Sequence, residues 1–327
     1  MRGKFFTGIV LCLALIVGIG TLQAAAADKP KDFPNRPLTI MVGFGAGGSS
    51  DVGVRILGEA LKKIIGQPVL VENKAGAGGQ VMWTDFKNNA KTDGYTLALI
   101  NVPQLQTTVF DPTRKPAFAM KDFQPVANHV QDPGAIFVRT ESPYKTLEDF
   151  LKDAKARPKQ VKASTTGIGS DDHLSVLDVE RKAGVQFNIV HLVDTPTALR
   201  QALGGHIDAD FDNVGGFLPA TKSGQGRMLA VFDEKRFPDA PDVPTMREKG
   251  IELISSSTRG YVYPAGTPME IVKYMEECIK KAMDDPDHVK RMKESGLALK
   301  FMGVDDFAKF LESQNERAKD LIGLYRK

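Results

Sequence analysis

The sequence predicts an α/β fold built as two domains, and three observations carry that prediction. At 327 residues the chain is longer than one hydrophobic core ordinarily supports. Short apolar, β-branched runs alternate with segments of helical periodicity, the pattern of parallel strands joined by crossover helices. One particular transition, from an apolar strand through glycines into a capped helix, occurs once in each half, as LTIMVGFGAGGSSD at 38–51 and VKASTTGIGSDDHL at 161–174.

The N-terminus is expected to lie outside the fold. Arg2 and Lys4 precede an uncharged apolar run from Phe5 to Thr21, and Ala24 to Ala27 offer small residues for cleavage. This is the pattern of a secretory signal peptide over 1–27. Its removal leaves 41 basic against 40 acidic residues, a balance with no basic tract for nucleic acid and no second run long enough to span a bilayer. Cys12 lies within the leader, so Cys278 is the only thiol of the mature chain and no intrachain disulfide forms.

From residue 38 the elements follow in order. LTIMV reads as a buried strand, and Gly45, Gly47 and Gly48 as a tight loop. Ser49, Ser50 or Asp51 is expected to cap a helix carrying Val54, Leu57, Leu61 and Ile64 on one face and ending at Gly66. QPVLVEN is a second strand; KAGAGGQ leads into a helix holding Trp83 and Phe86; DGYTLALIN is a third strand. FQPVANHVQDPGAIFVRT, with its prolines, reads as a separator between halves. Beyond it, Thr146 with Asp149 three residues on forms a capping box for a helix with Leu147, Phe150 and Leu151 inward. The second glycine loop follows, then a helix over TPTALRQALGG and strands at HIDADFDN and RMLAVFD. After the proline-rich PDAPDVPTMREKG, a run of helices is expected from PAGTP to the C-terminus.

Glycine-lined helix N-termini point to an anion, since their free amides and partial positive charge face outward from the strand ends. The glycines at 43, 45 and 48 formally satisfy a dinucleotide fingerprint, with Glu72 near the position of a ribose-binding acid. Asp51 in the first turn would repel a pyrophosphate, however, and an exported chain meets little nicotinamide cofactor. Ser170 and His173 share a helical face, but a serine opening a helix caps more often than it attacks. His206, Asp208, Asp210 and Asp212 alternate as one face of a strand, while Ile207, Ala209 and Phe211 make the other apolar, as in an ordinary half-buried strand. What remains is a pair of amide-rich loops, one per half, aimed at a shared seam and suited to a small carboxylate. No metal and no cofactor is required.

Seven segments in order, FPNRPLTIMVGFGAGGSSD, QPVLVENKAGAGG, DGYTLAL, STTGIGSDDHL, LGGHIDADFDN, PDVPTMREKG and PAGTP, resemble the successive motifs of the Bug family. These are the periplasmic solute-binding receptors of tripartite tricarboxylate transporters. The resemblance implies a two-domain Venus-flytrap fold with mixed sheets and an interdomain ligand cleft. One domain would be formed by 28–126 and 255–327, the other by 127–254, with hinges near 126 and 254. It implies a non-enzymatic, monomeric protein in the periplasm that delivers a mono-, di- or aromatic carboxylate to membrane permease subunits. The alternative is a sensor that presents its closed form to a signalling receptor.

The resemblance places the ligand on Phe44, Gly47, Gly48, Ser49 and Asp51 of the first loop and on Asn73. In the second half it places the ligand on Thr165, Thr166, Gly167, Gly169, Ser170 and His173, with Asp212 and Asn213 at a strand end. The chain departs from the family at HLVD, 191–194, and at STRGYVY, where Arg259 replaces a frequent tryptophan. Loss of the aromatic and gain of Arg259 would admit a second carboxylate or an aromatic acid, and Asp194, if it faces the cleft, would oppose one; an arginine on a crossing strand is otherwise expected to form a surface ion pair.

Overall fold

The structure, a computed structural model, describes residues 29–325; the expected signal peptide lies outside the described residues. The first lobe opens with β1 (Leu38–Val42), α1 (Ser49–Ile65), β2 (Val69–Asn73), α2 (Gln80–Asn89), β3 (Thr96–Val102) and α3 (Gln104–Phe110). As the alternation requires, β1 runs parallel to both β2 and β3. α1 ends where expected, at Gly66 in the left-handed region, and Trp83 and Phe86 of α2 are wholly buried.

The passage read as a separator is instead the longest strand of the fold, β4 (Phe123–Arg139). Its two prolines fall where the hydrogen-bond ladder is already interrupted: Pro125 at a register shift, and Pro133 where β4 exchanges one partner for others. A residue without an N–H is tolerated in a strand at just such places. Up to Pro133, β4 pairs antiparallel with β9 (Ser256–Pro264); from Gly134 it pairs with β7 (Ala209–Asn213), and from Ala135 with β8 (Gly226–Val231).

The second lobe holds β7 and β8 with α4 (Leu147–Ala156), β5 (Lys162–Thr165), α5 (Asp171–Ala183), β6 (Asn188–His191), α6 (Thr195–Leu203) and α7 (Val214–Lys222). The Thr146–Asp149 capping box is present, each partner accepting the other's backbone N–H. β5 lies parallel to β6 and β7, so the sheet order is β2-β1-β3-β9-β4-β7-β5-β6, with β8 and β10 (Leu299–Met302) also on β4. β10 corrects the expectation of an unbroken run of helices: it follows α8 (Met269–Met283) and α9 (Pro286–Glu294) and precedes α10 (Val304–Tyr325). LKFM is too short to show a period, and only the edge of β4 makes it a strand.

Each lobe buries its own apolar core. Val42, Leu57, Tyr261, Val272 and Met275 meet in one, and Ile136, Phe150, Val179, Phe211 and Phe232 in the other. α8 therefore packs on α1 although more than 200 residues separate them in sequence, and the C-terminal segment completes the first lobe. β7 departs from the half-buried strand the alternation suggested. All five of its residues are buried, because it lies inside the sheet between β4 and β5.

Candidate functional site

Where the two lobes meet, the N-termini of four helices line one pocket. α1 contributes Gly48, Ser49 and Ser50; α5, Ser170 and Asp171; α6, Asp194 and Thr195; α7, its N-cap Asn213. Phe44, Gly45, Thr166, Asp212, Asn101, Gln104, Ser257 and Arg259 complete the lining. The free space is about 20 Å³, little more than a water fills. The lobes press together there: a Cβ on Gly45 would collide with the Asp194 carboxylate, and one on Gly48 would lie 3.3 Å from Pro196 Cδ. A roomier cavity, about 120 Å³, lies between α5 and α10 and shares only Asp171 with this pocket.

The four mouths differ in how their amides are used. At α5, Ser170 Oγ accepts from the His173 amide, and Asp172 Oδ2 accepts from Thr166 N of the preceding loop. At α6, Asp194 Oδ1 accepts from Thr197 N at 2.9 Å. At α7, Asp132 Oδ1 takes the Gly215 amide at 3.1 Å. α1 alone of the four has neither a side-chain cap nor an acidic oxygen on its first amides. Its N-cap is Gly48, not the expected Ser49, Ser50 or Asp51, and its ladder starts only at Val52 N to Gly48 O.

Of the residues the sequence singled out, Phe44, Gly48, Ser49, Thr166, Ser170, Asp212, Asn213 and Arg259 line the pocket. Gly47, Asp51 and Asn73 stand behind it as a brace. Asp51 Oδ2 accepts from Gly47 N and Arg55 Nε, both at 2.9 Å, and Oδ1 accepts from Asn73 Nδ2, which also reaches the Phe44 carbonyl. Against its burial, these hydrogen bonds hold the Asp51 carboxyl below the usual carboxylate range. The Gly47 amide is thereby used inside the protein.

In the second loop, Thr165, Gly167, Gly169 and His173 also sit behind the lining. Gly169 N donates to His173 Nδ1, so that ring carries its proton on Nε2. Burial, with His191 beside it, lowers His173 to about 3 and keeps it neutral. Thr165 Oγ1 lies 2.7 Å from His191 Nδ1, which ties the HLVD segment to the loop. Ile168 and Gly169 turn their carbonyls toward the first lobe, where Gln104 Nε2, Arg114 Nη1 and Thr107 Oγ1 donate to them. This latch across the cleft has no motif in the sequence, because its donors come from the unanticipated α3 and the loop that follows it.

Arg259 is not a surface residue. Its side chain is 4% exposed; Nη1 lies 2.8 Å from Asp132 Oδ2, and Nη2 donates to Asn213 Oδ1, whose amide nitrogen in turn donates to Asp171 Oδ2. Burial raises Asp132 to about 6 and Asp212 to about 7, and raises Asp171 as well. Among the described residues, no three His, Cys, Asp or Glu side chains converge to hold a metal ion.

A matching domain description settles where the chain belongs. Residues 54–325 match the family described as "Tripartite tricarboxylate transporter family receptor", TctC. The chain is a member of the TctC family. It is similar to the "UPF0065 protein in gbd 5'region" of Cupriavidus necator, 33% identical over 98% of this chain and 97% of that protein. BugT of Bordetella pertussis is 30% identical, with 93% and 94% of the two chains covered. Among solved structures, MatC of Rhodopseudomonas palustris with bound malate superposes with a TM-score of 0.81 at 28% identity, covering 89% of this chain and all of that one. The resemblance to Bug receptors and the Venus-flytrap fold it implied are therefore borne out. As a TctC-family chain, this is a solute-binding receptor.

Proposed function

We propose that this receptor works in the periplasm as a monomer, binds a small organic carboxylate at the mouth of α1, and delivers it to membrane permease subunits. The observation that carries the reading is the uncapped α1 N-terminus, whose first amides face the pocket while every neighbouring mouth already holds a side-chain oxygen. Hydrogen bonds to a charged group contribute roughly 1.5 to 3 kcal/mol each. Four to six of them, set against an association cost of at least about 4 kcal/mol, leave room for micromolar binding near −8 kcal/mol. MatC, a relative of the same fold, was solved with malate.

A ligand enters only if the lobes part, because the space between them is water-sized. The hinge we place at Pro133–Gly134, where β4 changes partner, and at Ser255–Ser256, where the returning chain enters β9. The remaining residues singled out in the two loops and at Asn73 brace the ligand-bearing backbone without touching the ligand.

The test is a thermal-shift screen of organic acids against the purified mature chain. Binding to the native state alone raises stability by about 2.7 kcal/mol at a hundredfold excess over Kd. The expected result is an upward shift with one class of acids; shifts with sugars or cations and none with acids would refute the proposal.

A further inference from the structure

Resting on that carboxylate reading, we infer that the acid taken by this pocket also carries a protonated amine, so that the ligand is a zwitterion and not a dianion. The argument starts from unspent hydrogen-bonding capacity. Asn101 is 6% exposed and Gln104 2%. Asn101 donates through Nδ2 to Ser50 Oγ, and Gln104 through Nε2 to the Ile168 carbonyl. On these two residues of the lining the carbonyl oxygens, Oδ1 and Oε1, are buried and without a donor. The Asp212 carboxyl is buried as well, its Oδ1 taking the Asn213 amide and the Thr195 side chain lying against it. Against these acceptors, the wholly buried side-chain donor of the lining without a partner among the described residues is Arg259 Nε. Buried acceptors left without donors are costly, so the pocket fits a group rich in N–H.

Charge narrows that group further. Asp171, Asp194 and Asp212 line the pocket, and none has a basic side chain within ion-pair distance among the described residues. Among the described residues, Arg259 is the only basic one in the lining, and Asp132 already faces it at 2.8 Å. At pH 8, above the value of about 7 for Asp212, a dianion would bring two negative charges into a recess that already holds the Asp212 and Asp194 carboxylates. A hydroxyl would satisfy one acceptor and leave the carboxylates unmatched. An ammonium supplies three donors and a positive charge together, while its carboxylate takes the α1 amides. A bare metal cation is disfavoured because the acids do not converge on one point.

Calorimetry on the mature wild-type chain tests this with acids of three to six carbons. At each length the α-amino acid, the ω-amino acid, the ω-hydroxy acid, the dicarboxylate and the unsubstituted acid are compared. The best amino acid should bind at least about tenfold more tightly than the best dicarboxylate or hydroxy acid. Asp212→Asn should reduce that preference about tenfold. Asp194→Asn, which keeps the α6 cap, provides a second variant should Asp212→Asn fail to fold. A dicarboxylate or hydroxy acid binding as tightly as any amino acid overturns the inference and leaves the carboxylate reading standing. Binding of no acid at any length overturns both.

Discussion

Arg259 and Asp132 form a buried ion pair across the two strands that join the lobes, Nη1 2.8 Å from Oδ2, with the carboxylate side chain wholly inaccessible. Asp132 also holds the Gly215 amide of α7, so one carboxylate ties β9, β4 and the mouth of a cleft helix together.

Arg259→Met leaves Asp132 in the interior without its cation. The expected loss of stability is about 3 to 5 kcal/mol, read by urea unfolding at pH 7.5. At pH 5, below the value of about 6 to which burial raises Asp132, the orphaned carboxyl is protonated and the loss should be smaller. Equal losses at both pH values would show that the pair is not what holds these strands. Calorimetry on the same variant locates the guanidinium: unchanged affinity for the best ligand would take Arg259 out of the site.

Stability should fall between pH 6.5 and 8 in the absence of ligand. Asp212, raised by burial to about 7, and Asp210 and Asp172, raised well above the ordinary carboxylate range, bind protons in the native state that the unfolded chain has released. Raised acids lose stability as pH climbs toward their folded values. The histidines oppose this only at lower pH. His129, His173, His191 and His288 are lowered by burial, so their contribution grows up to the unfolded value near 6.5 and is then complete. Asp171 and Asp172 of α5, Asp210 of its own strand and Arg259 of β9 act on Asp212, the Thr195 side chain is hydrogen-bonded to it, and Asp194 of α6 shares its pocket lining. Differential scanning calorimetry should show Tm declining over this window and Asp212→Asn blunting the decline; a flat profile in the wild type would refute it.

Gly45→Val places a side chain where the Asp194 carboxylate rests when the lobes meet. Lobe contact is blocked while neither core is touched. The expected result is affinity at least about tenfold weaker, loss of ligand-induced compaction in X-ray scattering, and a ligand-free Tm within about 2 °C of wild type, the shift of a sub-kilocalorie change. A variant that compacts and binds normally would separate closure from this contact.

The elements most legible in the sequence were those whose signals are local. Gly66 ends α1 and Thr146 with Asp149 starts α4 because a left-handed turn and a capping box each need only a few residues. β4 was hidden because Pro125 and Pro133 are strand breakers until the partners are known, and only the switch from β9 to β7 and β8 makes room for them. The site divides in the same way. The glycine loops and Asp212–Asn213 stand out at strand ends, and Asn101 at the end of β3 answers to the same rule although it was not singled out. Asp171 and Gln104 were missed because their roles depend on partners distant in sequence: Asn213 of the same lobe for the first, the Ile168 carbonyl of the other lobe for the second.

The return of α8 to α1 also sets an order of assembly. The middle of the chain, between Gly134 and Ser255, contains every strand and helix of its own lobe and has what it needs once it has been synthesised. The opening hundred residues must wait for the last seventy or so, since Val272 and Met275 cover the stripe that Val54 and Leu57 would otherwise leave in water. A polypeptide cut after the middle lobe would thus present a sticky, half-built N-terminal unit beside a finished one.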